Sequence, residues 1–144
     1  MINTKNLRSR RAELLVDVSG PLANAVFICL FSIPFAFDLP DRLPQWNGLW
    51  FGLNGLLYVE ILVLLLNLLP VPPLDGFNIL SYWLPFELKQ SFRQLGYFPL
   101  FILYFMLRGD NPVGIAFYST VDSVAGYFHI DPYWGWFALS YLHL

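Results

Sequence analysis

The chain has 144 residues, of which 57% are apolar, 19% aromatic and only 12% charged, with a formal net charge of -2. An average soluble domain carries about twice that charged share, and a mean hydropathy of +0.55 leaves too little polar side chain to cover a wet surface. This balance argues against a soluble enzyme, a disordered chain and a nucleic-acid binder, and the single cysteine, Cys29, excludes an internal disulfide.

In chain order, a basic run (Lys5, Arg8, Arg10, Arg11) precedes residues 18–37, VSGPLANAVFICLFSIPFAF, which carry no charge. About 20 apolar helical residues cross a hydrocarbon core roughly 30 Å thick. The stretch lacks a small-residue cleavage site, so it reads as a transmembrane helix and not a signal peptide. The loop DLPDRLPQWN follows, with Pro40, Pro44 and the charges Asp38, Asp41 and Arg42. Residues 48–70 then form a second candidate span whose one charge is Glu60, with Trp46 and Trp50 at its entry as interfacial aromatics. Lys89 and Arg93 lie beyond it, while only Arg42 lies between the spans. The positive-inside bias therefore places the N-terminus and residues 71–94 in the cytoplasm. The basic run is equally suited to contact with anionic lipid.

The remainder is apolar but broken. Residues 94–107 contain Pro99 and reach only about 21 Å as a helix, which suits a re-entrant or interfacial segment as well as a tilted span. RGDNP, residues 108–112, breaks the chain, and residues 113–128 are interrupted by Asp122. The tail carries Tyr133, Trp134, Trp136 and Tyr141, a set suited to a helix at headgroup level. The expected fold is all-α: an integral membrane protein with two transmembrane helices plus one or two short re-entrant or interfacial helices, in a single domain over residues 1–144.

The stretch NLLPVPPLDGFNIL, residues 67–80, carries the most chemical information. A helix must stop at Pro70, Pro72 and Pro73 enforce extended backbone, and Asp75 is then presented beside Gly76, where the chain can turn. An ionisable group at membrane depth is a functional-site hypothesis by default. Against it stands a plain cytoplasmic turn in which Asp75 caps the next helix. Glu60 is an intramembrane polar residue that either contacts a proton or partner or is a satisfied packing residue. Gly20, Ala23 and Ala25 permit close helix approach, and Asn24 and Asn67 are candidates for interhelical hydrogen bonds.

Asn67, Pro70, Pro72, Leu74, Asp75 and Gly76 fit the pattern N-x-x-P-x-P-x-L-D-G, and upstream an arginine-rich lead-in runs into Gly20, Pro21, Ala23 and Asn24, a G-P-x-A-N helix start. In both features the chain resembles the site-2 protease family of intramembrane zinc metalloproteases. The resemblance covers residues 6–80, a site-2-protease-like core, and leaves residues 81–144 as an unassigned aromatic tail. It implies that Asp75 is the third zinc ligand and that Asn24 and Asn67 are cleft positions. It implies that the other two ligands are the histidines of an H-E-x-x-H helix, whose glutamate activates the zinc-bound water. That helix belongs upstream of residue 6. The histidines present are His129 and His143, too far apart for one helical face and on the wrong side of Asp75. They remain candidates for a tetrapyrrole or a partner's metal, or interfacial structural residues.

One carboxylate does not hold zinc tightly, since a catalytic site uses three protein ligands. The leading expectation is thus a non-catalytic, structural or accessory membrane subunit, favoured by a Met1 start close to the family's second half. The alternative is the C-terminal portion of an active intramembrane zinc metalloendopeptidase whose H-E-x-x-H helix lies outside this chain, and a third is an unrelated small membrane protein. No cofactor is expected in this chain alone, with zinc if the alternative holds. The expected partners are the lipid bilayer and other membrane subunits, not nucleic acid, and the expected location is a bacterial inner membrane.

Overall fold

The computed structural model describes residues 4–108 and 111–141, so His143 lies outside the described residues, as do the side chains of Lys5, Arg8, Arg10, Arg11, Arg93 and Tyr141. Described residues form helices and turns without a strand. The first helix, α1, runs unbroken over Thr4–Ala36 with Pro21 and Pro34 inside it. Gly20-Pro21 is therefore not a helix start but the second third of a helix about 50 Å long. An interior proline removes a backbone bond, a loss tolerated in membrane helices where neighbouring groups compensate. Here each proline follows a serine by two residues. The Ser19 hydroxyl donates to the Val16 carbonyl (2.7 Å) and that of Ser32 to Cys29 (3.2 Å).

A short helix, α2 (Leu39–Arg42), and a 3-10 turn (Pro44–Trp46) reverse the chain into α3, Asn47–Asn67. Trp50 donates its indole N–H to the Leu43 carbonyl (3.1 Å) and meets Phe35 edge-on at 6.4 Å, tying the start of α3 to the end of α1. The expected second span ends three residues early. Proline disfavours helix at the residue before it, and its ring clashes with the carbonyl four back, which is Leu66. Residues 68–73 form tight turns: Leu69 N–H reaches Leu66 C=O, and Leu74 N–H reaches Val71 C=O. Leu74 itself is extended.

The later elements are α4 (Asp75–Leu80), α5 (Phe86–Gln94), α6 (Phe98–Leu107), α7 (Pro112–Tyr127) and α8 (Pro132–Tyr141). Asn111 caps α7 by accepting from the N–H groups of Val113 (3.1 Å) and Gly114 (2.9 Å), with Pro112 at the first helical position. The chain leaves α7 through His129 at φ 58, with Ile130 N–H donating to Ala125 C=O and His129 N–H to Gly126 C=O. That pair of bonds is a left-handed helix cap, and it drives Ile130 into the core. Asp131 then caps α8 by accepting from Tyr133 N–H at 2.9 Å.

The core joins α1, α3 and α7: Ile28 and Phe35, Leu57, Tyr58 and Ile61, Val121 and Ala125, with Ile130 closing it. The aromatic tail packs along the first half of α3, with Trp134 and Phe137 edge-on to Phe51 at 4.9 and 5.6 Å. Tyr58, fully buried, donates its hydroxyl to the Asp122 carboxylate at 2.7 Å. Gly135 is buried against the Tyr58 ring, where a Cβ would overlap ring atoms.

Two helices are long and apolar enough to cross a bilayer, over Leu14–Ala36 and Pro44–Asn67. Only 11% of the first of these apolar windows is buried, whereas a soluble core helix would be mostly covered. Leu15, Leu22, Val26, Leu30 and Ile33 project outward along it. Such a continuous apolar face belongs in lipid, and the chain is a membrane protein.

Two substitutions test this core. Tyr58→Phe strands the Asp122 acceptor and should lower stability by about 0.5–2 kcal/mol. Gly135→Ala forces a methyl into the Tyr58 ring and should cost about 1–3 kcal/mol. Thermal unfolding in detergent reads both: wild-type melting of Tyr58→Phe would contradict a stabilising Tyr58–Asp122 bond between α3 and α7, and wild-type melting of Gly135→Ala would contradict the packing of α8 on α3.

Candidate functional site

Asp75 is the first residue of α4, and Leu74 before it, not Asp75, occupies the cap position; no side-chain cap bond forms there. The expected alternative of Asp75 as a mere helix cap is therefore replaced by a different placement. Its carboxylate faces α1, where a Cβ built on Gly20 would stand 3.4 Å from Asp75 Oδ2. The two sequence motifs, 55 residues apart, thus meet in space. Gly20 lies six residues into the apolar window of α1, so Asp75 sits about 9 Å inside that window's end. The carboxylate is half-buried and makes no hydrogen bond or ion pair with described residues.

Gly76 makes this placement possible. A Cβ there would overlap the Leu68 carbonyl and crowd that of Leu69. These carbonyls lie just past Asn67, the last residue of α3. Only glycine lets the first turn of α4 close onto them. Phe77, 3% exposed, then anchors α4 by packing edge-on to Phe92 of α5 at 5.5 Å.

Asn24 is one helical turn beyond Gly20 and shares its face of α1. Asn67 is the last residue of α3. Both are half-buried and neither forms a hydrogen bond, so the expected interhelical bonds are not made among described residues. Glu60 is half-buried within α3, also without a hydrogen bond or ion pair among them. His129 lies elsewhere. It lines a cavity of about 650 Å3 at the opposite end of the helix pair, alongside Phe35 and Asn47. Phe35 and Gly20 are separated by about 22 Å of helix, so the fold does not bring His129 to Asp75. No group of three His, Cys, Asp or Glu side chains is clustered for a metal among described residues. With one carboxylate and no imidazole, the residues present do not make a zinc site.

No protein-family model matches the chain, and no solved structure matches it. Three curated proteins do. The protein named "Putative zinc metalloprotease Rip2" of Mycolicibacterium smegmatis is 32% identical over 97 residues, covering 65% of this chain and 36% of its own length. "Putative zinc metalloprotease YwhC" of Bacillus subtilis is 28% identical over 97 residues, 60% of this chain and 42% of its own. "Putative zinc metalloprotease MJ0611" of Methanocaldococcus jannaschii is 32% identical over 71 residues, 49% of this chain and 34% of its own. The chain is similar over part of its length to these putative zinc metalloproteases, consistent with a site-2-protease-like C-terminal part. It spans well under half the length of the curated relatives it matches.

The site-2-protease-like chain also contains a polar feature that sequence reading missed. Asp122 stood out only as an interruption in an apolar segment, and nothing in the sequence joined it to Tyr58, 64 residues away. An acid facing an aromatic hydroxyl in another apolar segment was the one available signal.

The seat of Asp75 is testable through its glycine. Gly76→Ala should destabilise by about 1–3 kcal/mol and detach α4 from α3. Gly52→Ala, where a Cβ meets nothing within 4 Å, should be neutral or stabilise by about 0.5–1 kcal/mol. Equal melting behaviour of the two variants would contradict the close approach.

Proposed function

We propose that this chain is the carboxylate-donating part of an intramembrane zinc metalloprotease assembly and is by itself non-catalytic. Asp75 is one ligand of a metal centre whose imidazoles come from outside these residues. The observation that carries the reading is the convergence of both motifs on one half-buried carboxylate, Asp75 against Gly20, that has no partner among described residues and lies within the apolar window of α1. A carboxylate without a partner in an apolar setting is unfavourable, and a cation supplied across the site offsets that cost. Zinc held there would act as a Lewis acid toward water and peptide. This chain's own contribution is to hold one ligand in position: Gly76 fixes the start of α4, Phe77 anchors it, and Gly20 leaves room for the carboxylate. Asn24, one turn from Gly20, and Asn67, at the end of α3, make no side-chain hydrogen bond among described residues and are suited to bind the backbone of an extended substrate segment.

In this reading the polar end of the site faces the cytoplasm of a bacterial inner membrane, following the basic residues Lys5, Arg8, Arg10, Arg11, Lys89 and Arg93. The partner is a membrane segment carrying the H-E-x-x-H pair that the resemblance implies.

Metal analysis tests this. The purified chain alone should retain far less than one zinc. Co-expressed with a membrane segment bearing H-E-x-x-H, it should be recovered in a complex with about one zinc, and Asp75→Ala should remove most of that metal while leaving the complex intact. Equal zinc with and without Asp75 would overturn the ligand role. A stable complex that never takes up zinc would favour a purely structural subunit.

A further inference from the structure

The opposite end of the α1–α3 pair carries a feature unrelated to Asp75. The cavity there, of about 650 Å3, falls within the size range of small-molecule sites, about 300–1,000 Å3. The cavity is partly open, and Phe35, 8% exposed, lines it together with Trp50, Phe51 and Trp134. These rings brace one another: Phe35 meets Trp50 at an interplanar angle of 77° and Phe51 meets Trp134 at 74°. Edge-to-face pairs of this kind hold a wall in place before any ligand arrives.

Asp38, Asp41 and Asp131 line the cavity together with the imidazole of His129, and no lysine or arginine among the described residues does, so its fixed charge is negative. Asp38 and Asp41 make no side-chain hydrogen bond or ion pair with described residues, so their carboxylates are available. One oxygen of Asp131 is taken by the Tyr133 N–H, and its backbone is held by Asn54. With the Asn54 amide in the orientation its surroundings require, it donates to the Asp131 carbonyl and accepts from the Asp131 N–H, each at 3.0 Å. Asn54 is 4% exposed, so the buried amide fixes the rim from beneath. Helix ends do not change this sign, because the C-termini of α1 and α7 are balanced by the N-termini of α3 and α8.

We propose that this cavity binds a small organic cation, a substituted ammonium group with an apolar surface. Aromatic faces attract cations through the ring quadrupole, and carboxylates at the mouth add attraction and exclude anions. A bare divalent ion does not fit the arrangement, since no three carboxylate or imidazole donors are clustered among described residues. A neutral apolar molecule would fill the walls but leave the acidic rim unmatched. The proposal stands apart from the zinc reading, about 22 Å away along α1.

Choline is a suitable probe, and 3,3-dimethylbutan-1-ol is its uncharged isostere. Trp50 and Trp134 line the cavity, so tryptophan fluorescence of the full chain in a maltoside detergent, free of choline headgroups, reports binding. Choline should give a saturable change, and the isostere should bind at least about 10-fold more weakly. The paired substitution Asp38→Asn and Asp41→Asn should weaken choline about 10-fold or more with unchanged thermal melting. Asparagine tolerates the left-handed backbone of Asp38 at φ 53. If the pair fails to fold, Asp41→Asn alone, at an exposed position, should still weaken binding several-fold. No saturation below about 100 mM choline, equal binding of the isostere, or wild-type affinity in the aspartate variants would each overturn the proposal.

Discussion

A missing side chain at residue 76 lets α4 begin directly on the carbonyls of Leu68 and Leu69, just past the end of α3. Much of the molecule's organisation depends on that closure. Pro70 ends α3, a string of tight turns uses up residues 68–73, and the helix that follows must start within reach of the chain end it has just left. With any Cβ at position 76 the first turn of α4 would be pushed away from α3. Asp75 would then be carried off Gly20. The contact between the two motifs is therefore set by backbone packing and not by a hydrogen bond or ion pair. That is an economical way to place a carboxylate whose chemical use requires its oxygens to be free.

The helix pair is held at its other end by different means. Rings dominate there, from Phe35 on Trp50 to Trp134 and Phe137 on Phe51, and between the two ends lies the Tyr58–Asp122 bond. In a bilayer apolar contact gives little net drive, because lipid tails compete with side chains. Close packing at Gly135, edge-on rings and one buried polar pair therefore carry a larger share of the association of α3 with α7 and α8. The outer face of α1 is left to lipid. Asp75 at one end and the acidic cavity at the other are thus built on one rigid scaffold but draw on separate residues.

Much of this was legible in the sequence where a single element decides the outcome. Two uncharged or nearly uncharged stretches of spanning length have few alternatives, and the prolines after Asn67 end a helix wherever it is packed. The motif residues Asp75 and Gly20 were both singled out, although their contact was not. Helix boundaries were less legible. Pro21 reads as a start because proline is costly inside a helix in water, yet within a membrane segment the cost is absorbed and α1 runs back to Thr4. The packing of the aromatic tail on α3 was not legible, because rings at headgroup level and rings packed on a neighbouring helix have the same composition. The Tyr58–Asp122 pair and the cavity were out of reach, since both form between residues far apart in the chain, and periodicity reports only on neighbours.

The meeting of Asp75 with Gly20 is most directly tested by cross-linking in native membranes. Gly20→Cys and Asp75→Cys, in a chain without Cys29, should be joined by a short thiol-specific cross-linker, detected as two fragments that stay linked after cleavage in the loop between α1 and α3. Pairing Gly20→Cys with His129→Cys should give no product. A missing link in the first pair, or an equal yield in the second, would mean that the LDG carboxylate is not held against α1 and that the site described here does not form.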